Sequence, residues 1–355
     1  MITNDKQLCD FLHNIKDETE LAIDTEFKRI NTYYPILCLV QIATKSATVC
    51  IDVLALKNLQ PLFDKLYQAD CLWIVHSARQ DIEAMHCLSG KLPKQLFDTQ
   101  IALDLLKDLR PEACKPGTQI SYQILTEILQ NVHLEKAYTR LDWTMRPLPD
   151  GAIEYALDDV RYLIKNYHQL KARLENEQKL SWLLEEGQSL LNPNLYEIDI
   201  TQAWKRIKGL SQLPKKLHPI GIQLCAWREG TAIDKNTPRK WILADKDLIN
   251  IALGKDNFSV EMQSSFEHFL TQYPHLCDIE IDAKQHTPAT PEEKAQRIIL
   301  QKSIQEKANQ YNLTPEVIAS SKTLLRYIRG NKSVNFLSGW RYQILKEELE
   351  KCKIV

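Results

Sequence analysis

The stretch Leu21-Ala22-Ile23-Asp24-Thr25-Glu26-Phe27-Lys28-Arg29 has three apolar residues that lead into two acidic ones. This pattern predicts a buried strand, and because side chains alternate along a strand, Asp24 and Glu26 project from the same face. Two neighbouring carboxylates repel each other, and a divalent cation is the usual reason for such a pair. An isolated D-x-E pair is more often a solvated strand end. The interpretation therefore depends on acidic positions elsewhere in the chain.

The composition is that of an ordinary soluble protein, with 26% charged and 44% hydrophobic residues. A length of 355 residues exceeds one compact core, so two or three domains are expected. No apolar run reaches membrane-spanning length, and the segment from Met1 to Lys6 lacks the regions of a secretory signal. Nine cysteines without a C-x-x-C pair indicate reduced thiols and argue against a thiolate zinc site. We therefore expect a cytoplasmic protein with no membrane partner.

The net charge of -1 conceals an uneven distribution of charge along the chain. Residues 1–200 carry 21 Lys and Arg against 29 Asp and Glu, whereas residues 201–255 carry 11 against 4. An acidic region suits a metal site built from carboxylates, and a basic segment suits a polyanion. A solvated surface explains the basic segment equally well, so the charge pattern alone leaves both interpretations open.

The spacing of apolar residues predicts an α/β region at the start of the chain. Three strands, at 20–25, 36–43 and 47–52, are separated by short links and should form an antiparallel meander. A buried strand is expected at 71–75, and Thr99 can cap a helix after a short extended stretch. Helices are expected at 3–17, 56–67, 78–88, 99–108, 119–131 and 150–177, with a loop at 111–117. This order predicts a mixed sheet with helices on both faces.

The rest of the chain has a helical pattern throughout. Asn192-Pro193-Asn194 is a candidate linker, and a polar stretch at 282–291 is a second one. We therefore expect a first domain at 1–192 and two all-α domains, at 200–281 and 290–355. A chain that ends near Asn192 is then expected to fold without the helical segments.

Two further acidic sites occur in this α/β region. Asp81 follows the buried strand at 71–75 and falls in the first turn of the next helix. On the last predicted helix, Tyr155 and Asp159 are four residues apart and therefore share a face. The neighbouring Asp158 is rotated away from that face and is expected to be solvated. Three separate elements thus supply acidic groups.

Four acidic ligands, from Asp24, Glu26, Asp81 and Asp159, would suit two hard divalent cations, Mg²⁺ or Mn²⁺. A site with two metal ions stabilises both the attacking and the leaving oxygen of an in-line displacement at phosphorus. A nearby tyrosine can hold the attacking water, and Tyr155 is placed for this on the helix that carries Asp159. The residues therefore point to phosphoryl chemistry.

These motifs resemble those of a known family. D-x-E on a first strand, H-x-A-x-x-D after a later strand and Y-x-x-x-D on a late helix are similar to the tyrosine-bearing (DEDDy) branch of the DEDD exonucleases. Further stretches resemble bacterial ribonuclease D, namely Tyr33-Tyr34-Pro35, Phe97-Asp98-Thr99-Gln100, Asp142-Trp143 and Arg146-Pro147-Leu148. The segments around Trp204, Trp227 and Trp340 resemble its helicase-and-RNase-D C-terminal (HRDC) domains, the last one more weakly. The similarity spans nearly the whole chain.

The resemblance implies an α/β ribonuclease H-like (DnaQ-like) exonuclease domain with a mixed sheet, followed by two all-α HRDC-type domains. It implies that Asp24, Glu26, Asp81 and Asp159 bind two divalent metal ions, Mg²⁺ or Mn²⁺. It implies that Tyr155 orients the water nucleophile, which completes the catalytic set.

The activity that the resemblance implies is that of a metal-dependent 3′-to-5′ exoribonuclease, which hydrolyses terminal phosphodiesters and releases 5′-mononucleotides. The expected partner is RNA, such as tRNA precursors and the 3′ ends of structured small RNA, and the expected oligomeric state is a monomer. Two other functions fit the same residues. One is a DNA-directed DEDD exonuclease, because a metal site reads no 2′-hydroxyl. The other is a non-catalytic RNA-binding protein, against which the intact acidic residues argue.

Several other residues have both a functional and a structural interpretation. His76 could be a metal ligand but is more typical of a hydrogen-bonded strand end. Phe27 could stack on a terminal base and Gln41 could contact the last nucleotide, with core packing as an equal alternative. Trp143 and Arg146 are expected to fix the loop before the late helix. Six basic residues could contact phosphates: Lys205, Arg206, Lys208, Arg228, Arg239 and Lys240.

Overall fold

The computed structural model describes residues 1–111, 118–281 and 287–352. By its internal contacts the chain separates into two units. The first unit contains Met1–Lys28, Ile36–Tyr196 and Thr290–Val355, and the second contains Arg29–Pro35 and Glu197–Ala289. The predicted loop at 111–117 lies outside the described residues from 112 onward, and the predicted linker at 282–291 lies outside them over 282–286.

The α/β part of the first unit is built on a sheet that has five strands in the described residues. They are β1 (Glu20–Lys28), β2 (Ile36–Ala43), β3 (Thr48–Asp52), β4 (Leu72–Val75) and β5 (Gln95–Asp98). The spatial order is β3-β2-β1-β4-β5. β2 is antiparallel to β1 and to β3, whereas β4 is parallel to β1 and to β5. The predicted meander and the predicted mixed sheet are therefore confirmed.

Helices cover both faces of this sheet, as predicted. In chain order they are α1 (Asp5–Asn14), α2 (Gln60–Leu66), α3 (Arg79–Ser89), α4 (Thr99–Leu105), α5 (Tyr122–Gln130), α6 (Ala152–Arg161), α7 (Leu163–Asn176) and α8 (Leu180–Leu190). Leu21 and Ile23 of β1 pack with α1, α2 and α3 on one face. Ala22 packs with α4, α5 and α7 on the other. The alternation of side chains along β1 thus buries residues on both faces.

The predicted single helix at 150–177 is wrong, because the chain forms α6 and α7 with a break at Tyr162. The N–H of Tyr162 donates to the hydroxyl of Tyr122 on α5, at 3.3 Å. At this point the backbone N–H bonds to a side chain from another element and not to the carbonyl four residues earlier. α6 packs across β1, β2 and β3, whereas α7 packs on α4, α5 and the parallel strands. The break therefore lets one stretch of chain serve both halves of the sheet.

The second unit is helical and is centred on a long, largely buried helix. Its helices are α9 (His218–Asp234), α10 (Arg239–Ile242), α11 (Asp245–Ala252) and α12 (Val260–Gln272), with a 3-10 helix at Ile200–Arg206 before them. Trp227 of α9 is buried and packs edge-on against Phe258 and Phe266, with ring centroids 5.4 and 5.9 Å away. This aromatic cluster holds the loops and helices around α9.

The connection between β1 and β2 folds with the second unit. Tyr33 donates its hydroxyl hydrogen to Glu229, whose side chain is only 1% exposed. The same carboxylate pairs with Arg206 at 3.2 Å and with Arg239 at 3.4 Å. Three donors thus compensate a buried charge that would be costly without partners.

The C-terminal helices belong to the first unit. They are α13 (Pro291–Gln310), α14 (Pro315–Ile318), α15 (Ser321–Ile328) and α16 (Gly339–Cys352). Leu300 and Ile304 of α13 lie in the same hydrophobic core as Leu170 and Leu174 of α7. The predicted bounds at 1–192, 200–281 and 290–355 stay predictions, but the last segment shares a core with the first.

A stacked pair of indole rings joins α16 to α8. The rings of Trp182 and Trp340 lie 4.5 Å apart and 10° from parallel, and Trp340 is 1% exposed. Its Nε1 donates to Glu186 at 2.8 Å, and its backbone N–H donates to Glu185 at 3.0 Å.

In the described parts of the chain, no helix is long and apolar enough to span a membrane.

Candidate active site

The acidic pair of β1 lies beside an irregularity in the sheet. Asp24 pairs with Gln41 and Glu26 with Leu39, but the next residue, Phe27, pairs with Leu37. β2 therefore has one extra residue opposite the end of β1. Such a bulge increases the local twist and often lies next to a functional site. Asp24 and Glu26 point to the same face, as the sequence predicted.

α6 brings the third acidic group to this face. Ligand atoms from Asp24, Glu26 and Asp159 all lie within 4.8 Å of one another. Ala152 and Ala156 of α6 are fully buried, and such small side chains permit a close approach of the helix to the sheet. The geometry thus favours Asp159 over Asp158, which is turned outward and pairs with Arg161.

Tyr155 lies one turn before Asp159 on α6, with its ring held by two other aromatic side chains. Trp143 stacks on it with ring centroids 6.3 Å apart, and Tyr138 meets it edge-on at 5.8 Å. Burial, then the charges of Asp159 and Glu26, raise the pKa of Tyr155 well above its usual range. Its hydroxyl therefore stays protonated at neutral pH and is available as a hydrogen-bond donor.

Asp81 approaches the same place from the other side of β1. It lies in the first turn of α3 and is 6% exposed. The hydroxyl of Thr25, between the two acidic residues of β1, donates to Asp81 at 2.6 Å. Asp81 lies outside the tight group of three carboxylates, but its charge raises the pKa of Asp24 and of Glu26. The structure thus brings Asp24, Glu26 and Asp159 together and places Asp81 next to them, against Thr25.

Sequence reasoning missed the part that Asp98 plays in placing Asp81. The carboxylate of Asp98 accepts hydrogen bonds from the N–H groups of Ser77 and Ala78, both at 2.9 Å, which fixes the start of α3. It also accepts from Gln100 at 2.8 Å and so caps α4, a role predicted for Thr99. An acidic residue between a buried strand and a helix was the available signal.

The pKa values of the four carboxyl groups are all raised. Burial is the largest cause in each case, followed for Asp24 and Glu26 by repulsion from the other carboxylates. The pKa of Glu26 rises to about 9, and those of Asp81 and Asp159 rise to about 7. Buried acidic groups that repel one another are stabilised by a bound cation, which displaces their protons. The cluster therefore fits a site for divalent metal ions.

We predict that the metal-free protein becomes less stable as the pH rises from about 4 to about 9. Glu26 has a folded-state pKa of about 9, above its ordinary value of 4.5. A group with a raised pKa stabilises the fold below its unfolded-state pKa, and this contribution is lost as the pH rises through the folded-state pKa. Melting temperatures in a chelator across this range provide the measurement.

Glu26→Gln is the matched variant for this prediction, since it keeps the shape of the side chain and removes its titration. Its metal-free melting temperature should fall less steeply with pH than that of the natural chain, and saturating Mn²⁺ should flatten the natural profile. If the metal-free stability of the natural chain rises from pH 5 to pH 8, the raised pKa values of the acidic cluster are contradicted.

The structure assigns structural roles to several other candidates. His76 uses both ring nitrogens, Nδ1 with Thr99 and Nε2 with the carbonyl of Ile120, each at 2.9 Å. Arg146 forms two hydrogen bonds to Asp52, both at 2.6 Å, and so anchors the loop before α6 as expected.

Two further candidates of the sequence analysis have core environments. Gln41 is 0% exposed, which does not permit contact with a nucleotide in this conformation. Phe27 packs at the edge of the core on the α1–α3 face.

Comparisons with known proteins place the chain in the class of 3′-5′ exonucleases. A family model with the description "3'-5' exonuclease" matches residues 1–175. The crystal structure of Escherichia coli RNase D, described as an exoribonuclease involved in structured RNA processing, superposes with a TM-score of 0.82. The match covers 99% of this chain and 97% of that chain at 24% identity, and therefore supports the fold.

Curated relatives identify the family within this class. Ribonuclease D of Bartonella henselae is 32% identical over 371 residues, which cover 99% of this chain and 89% of that protein. Ribonuclease D of Xanthomonas oryzae pv. oryzae is 30% identical and is matched over 96% of its length. The chain belongs to the ribonuclease D family, as the sequence motifs predicted.

Proposed function

We propose that this protein removes nucleotides one at a time from RNA 3′ ends, with Asp24, Glu26, Asp81, Tyr155 and Asp159 as its catalytic residues. As a member of the ribonuclease D family, the chain is a 3′-5′ exoribonuclease, so the predicted enzyme class is confirmed. The observation that carries the residue assignment is the close group of Asp24, Glu26 and Asp159, beside Asp81. The released product would be a 5′-mononucleotide.

The four carboxylates would hold two divalent cations, Mg²⁺ or Mn²⁺. Such ions, when bound, neutralise charge on the phosphate and supply an activated water nucleophile. The chain itself provides the fixed oxygen ligands, with Asp81 oriented by Thr25 and Asp159 oriented by the packing of α6. Oxygen ligands from carboxylates are the preference of both metals.

Tyr155 would orient the attacking water by hydrogen bonding. Burial, and then the charges of the surrounding carboxylates, raise the pKa of its hydroxyl, and Trp143 and Tyr138 fix the ring. A fixed donor costs little reorganisation when the reaction occurs.

Tyr155→Phe should therefore lower kcat about 100-fold, because misplacement of a reacting group costs about this factor. The affinity for Mn²⁺, measured by titration calorimetry, should stay within about twofold. Tyr138→Phe is the matched control, since the hydroxyl of Tyr138 donates to the carbonyl of Asp150 at 2.6 Å, away from the acidic group. If Tyr155→Phe weakens Mn²⁺ binding about tenfold, the tyrosine supports Asp159 instead.

The substrates would be structured RNA, such as the 3′ ends of tRNA precursors and small RNA. The second unit carries the basic surplus of residues 201–255, and four of the six predicted basic contacts are exposed: Lys205, Arg206, Lys208 and Lys240. Arg228 is an exception, because it is 2% exposed and its guanidinium pairs with Asp245 at 2.7 Å. These four exposed side chains would contact phosphates from the surface, whereas Arg239 is half-buried and pairs with Glu229.

We further propose that residues 1–192 form the exonuclease domain and that 200–281 and 290–355 are HRDC-type domains, the second divergent. We propose that the protein is a monomer and that it is located in the cytoplasm. Light scattering of the purified protein tests the oligomeric state, and fractionation of cells tests the location.

The direct test uses one RNA labelled in turn at its 3′ and its 5′ end, with Mg²⁺ or Mn²⁺. The 3′ label should appear at once as a mononucleotide, and the 5′ label should give a ladder of shortened products. A chelator should abolish both the release of the labelled mononucleotide and the ladder of shortened products. A DNA of matched sequence that is degraded as fast would favour a DNA-directed enzyme, and binding without degradation would favour a non-catalytic RNA-binding protein.

A further inference from the structure

Gln41 is a buried amide that lies next to the acidic cluster. In the register of the sheet, Gln41 on β2 is directly opposite Asp24 on β1 and Cys50 on β3. Side chains of directly paired residues lie on the same face, with Cβ atoms about 4.5 to 5.5 Å apart. The carboxamide of Gln41 is therefore within reach of the carboxylate of Asp24.

The described residues around this amide provide no hydrogen-bond partner for it. Gln41 is 0% exposed, and neither its Oε1 nor its Nε2 has a hydrogen-bond partner among the residues that the structure describes. Leu39 and Cys50, on the same face of the sheet, are also fully buried. Buried polar side chains are hydrogen-bonded in most proteins, so a side chain with both ends unpaired needs an explanation.

Packing alone does not explain this amide. A methionine would fill nearly the same volume without the cost of desolvating a polar group. The partner strand supplies a reason, because Asp24 is the acidic residue that faces Gln41, whereas Glu26 faces the apolar Leu39. An amide nitrogen is a donor, and an ionised carboxylate is an acceptor with more than one free lone pair.

We propose that Gln41 is a positioning residue for Asp24, an inference that rests on the proposed metal-dependent function. When Asp24 is ionised and holds a cation through one oxygen, the Nε2 of Gln41 donates to its carboxylate and fixes its orientation. The terminal torsion of a glutamine side chain is broad, so the amide reaches this position by rotation. Groups that hold a ligand in place in this way change metal affinity by about 10-fold to 100-fold.

Gln41→Met tests this role by removing the donor at nearly constant volume. The metal-free melting temperature of the full-length variant should be equal to or higher than that of the natural chain, because an unpaired buried amide is lost. The affinity for Mn²⁺, measured by titration calorimetry without RNA, should fall about tenfold. The combination of kept stability and weaker metal binding is not expected of an amide with a purely structural role.

Cys50→Ala is the matched control, since Cys50 is the other neighbour of Gln41 in the same row and is fully buried. It should lower the melting temperature and leave the affinity for Mn²⁺ within about twofold. If Gln41→Met also leaves this affinity within twofold, or lowers only the melting temperature, the positioning role is overturned.

A crystal structure of the natural protein with Mn²⁺ gives a second readout that holds even if the variant fails to fold. The Nε2 of Gln41 should then lie within about 3.2 Å of a carboxylate oxygen of Asp24. An amide that still has no contact with Asp24 in this structure overturns the inference. A protein that binds no Mn²⁺ and degrades no RNA would overturn the proposed function itself, which is a distinguishable result.

Discussion

Asp24→Asn should lower the rate of RNA hydrolysis at saturating metal by at least about a thousandfold. The amide keeps the shape of the side chain but removes a negative charge from the centre of the acidic group, where Glu26 and Asp159 lie within 4.8 Å. A charge that holds a metal ion has no substitute in a neutral amide. A thousandfold loss corresponds to about 4 kcal/mol of transition-state stabilisation. Single-turnover rates on a short RNA provide the measurement.

RNA binding by the same variant should stay within a few-fold, because the basic side chains of the second unit are unchanged. Asp158→Asn is the matched control: it makes the same chemical change one residue before Asp159, at a side chain that pairs with Arg161 outside the acidic group. Its activity should stay close to that of the natural chain. Activity of Asp24→Asn within about tenfold of the natural chain would defeat the assignment.

A chain that ends at Asn192 should not fold into a stable exonuclease unit, contrary to the expectation from the linkers. The C-terminal helices contribute Leu300, Ile304 and Trp340 to the same hydrophobic core as α7 and α8. Their removal would expose this apolar surface and leave Glu185 and Glu186 without their bonds to Trp340. The truncated chain should aggregate or lack a cooperative thermal transition.

Trp340→Ala separates this effect from the gross change of a truncation. Loss of a fully buried tryptophan costs about 3 to 5 kcal/mol of unfolding free energy. Trp241→Ala is the control, because Trp241 is 62% exposed and surface changes usually stay within about 0.5 kcal/mol. Denaturant unfolding measures both variants. A cooperative, active chain ending at Asn192 would show that the shared core is dispensable.

The local patterns of the sequence predicted the sheet well because strands have a strict period. The strand at 36–43 has the bounds that apolar content predicted, and Asp24 and Glu26 share a face because side chains alternate. The four-residue spacing of Tyr155 and Asp159 likewise placed both on one side of α6. The direction of each side chain follows from the local backbone conformation, so these features can be predicted from a short stretch of sequence.

Local sequence patterns could not predict features that depend on contacts between distant residues. At the break between α6 and α7, the N–H of Tyr162 bonds to the hydroxyl of Tyr122, forty residues earlier in the chain. Arg228 belongs to a basic segment, yet its burial against Asp245 removes it from the surface. Neither the partner nor the burial can be derived from the residue types alone.

The family, the mixed sheet and the candidate acidic residues could all be predicted from the sequence, because motif spacing and strand alternation are local properties. Three other features require the folded chain: Asp81 is bonded to Thr25, Gln41 is buried opposite Asp24, and residues 290–355 share a core with the α/β region. The three features result from a hydrogen bond, a strand pairing and a shared hydrophobic core, each between separate elements of the chain. Such contacts are properties of the whole fold and have no signature in a short stretch of sequence.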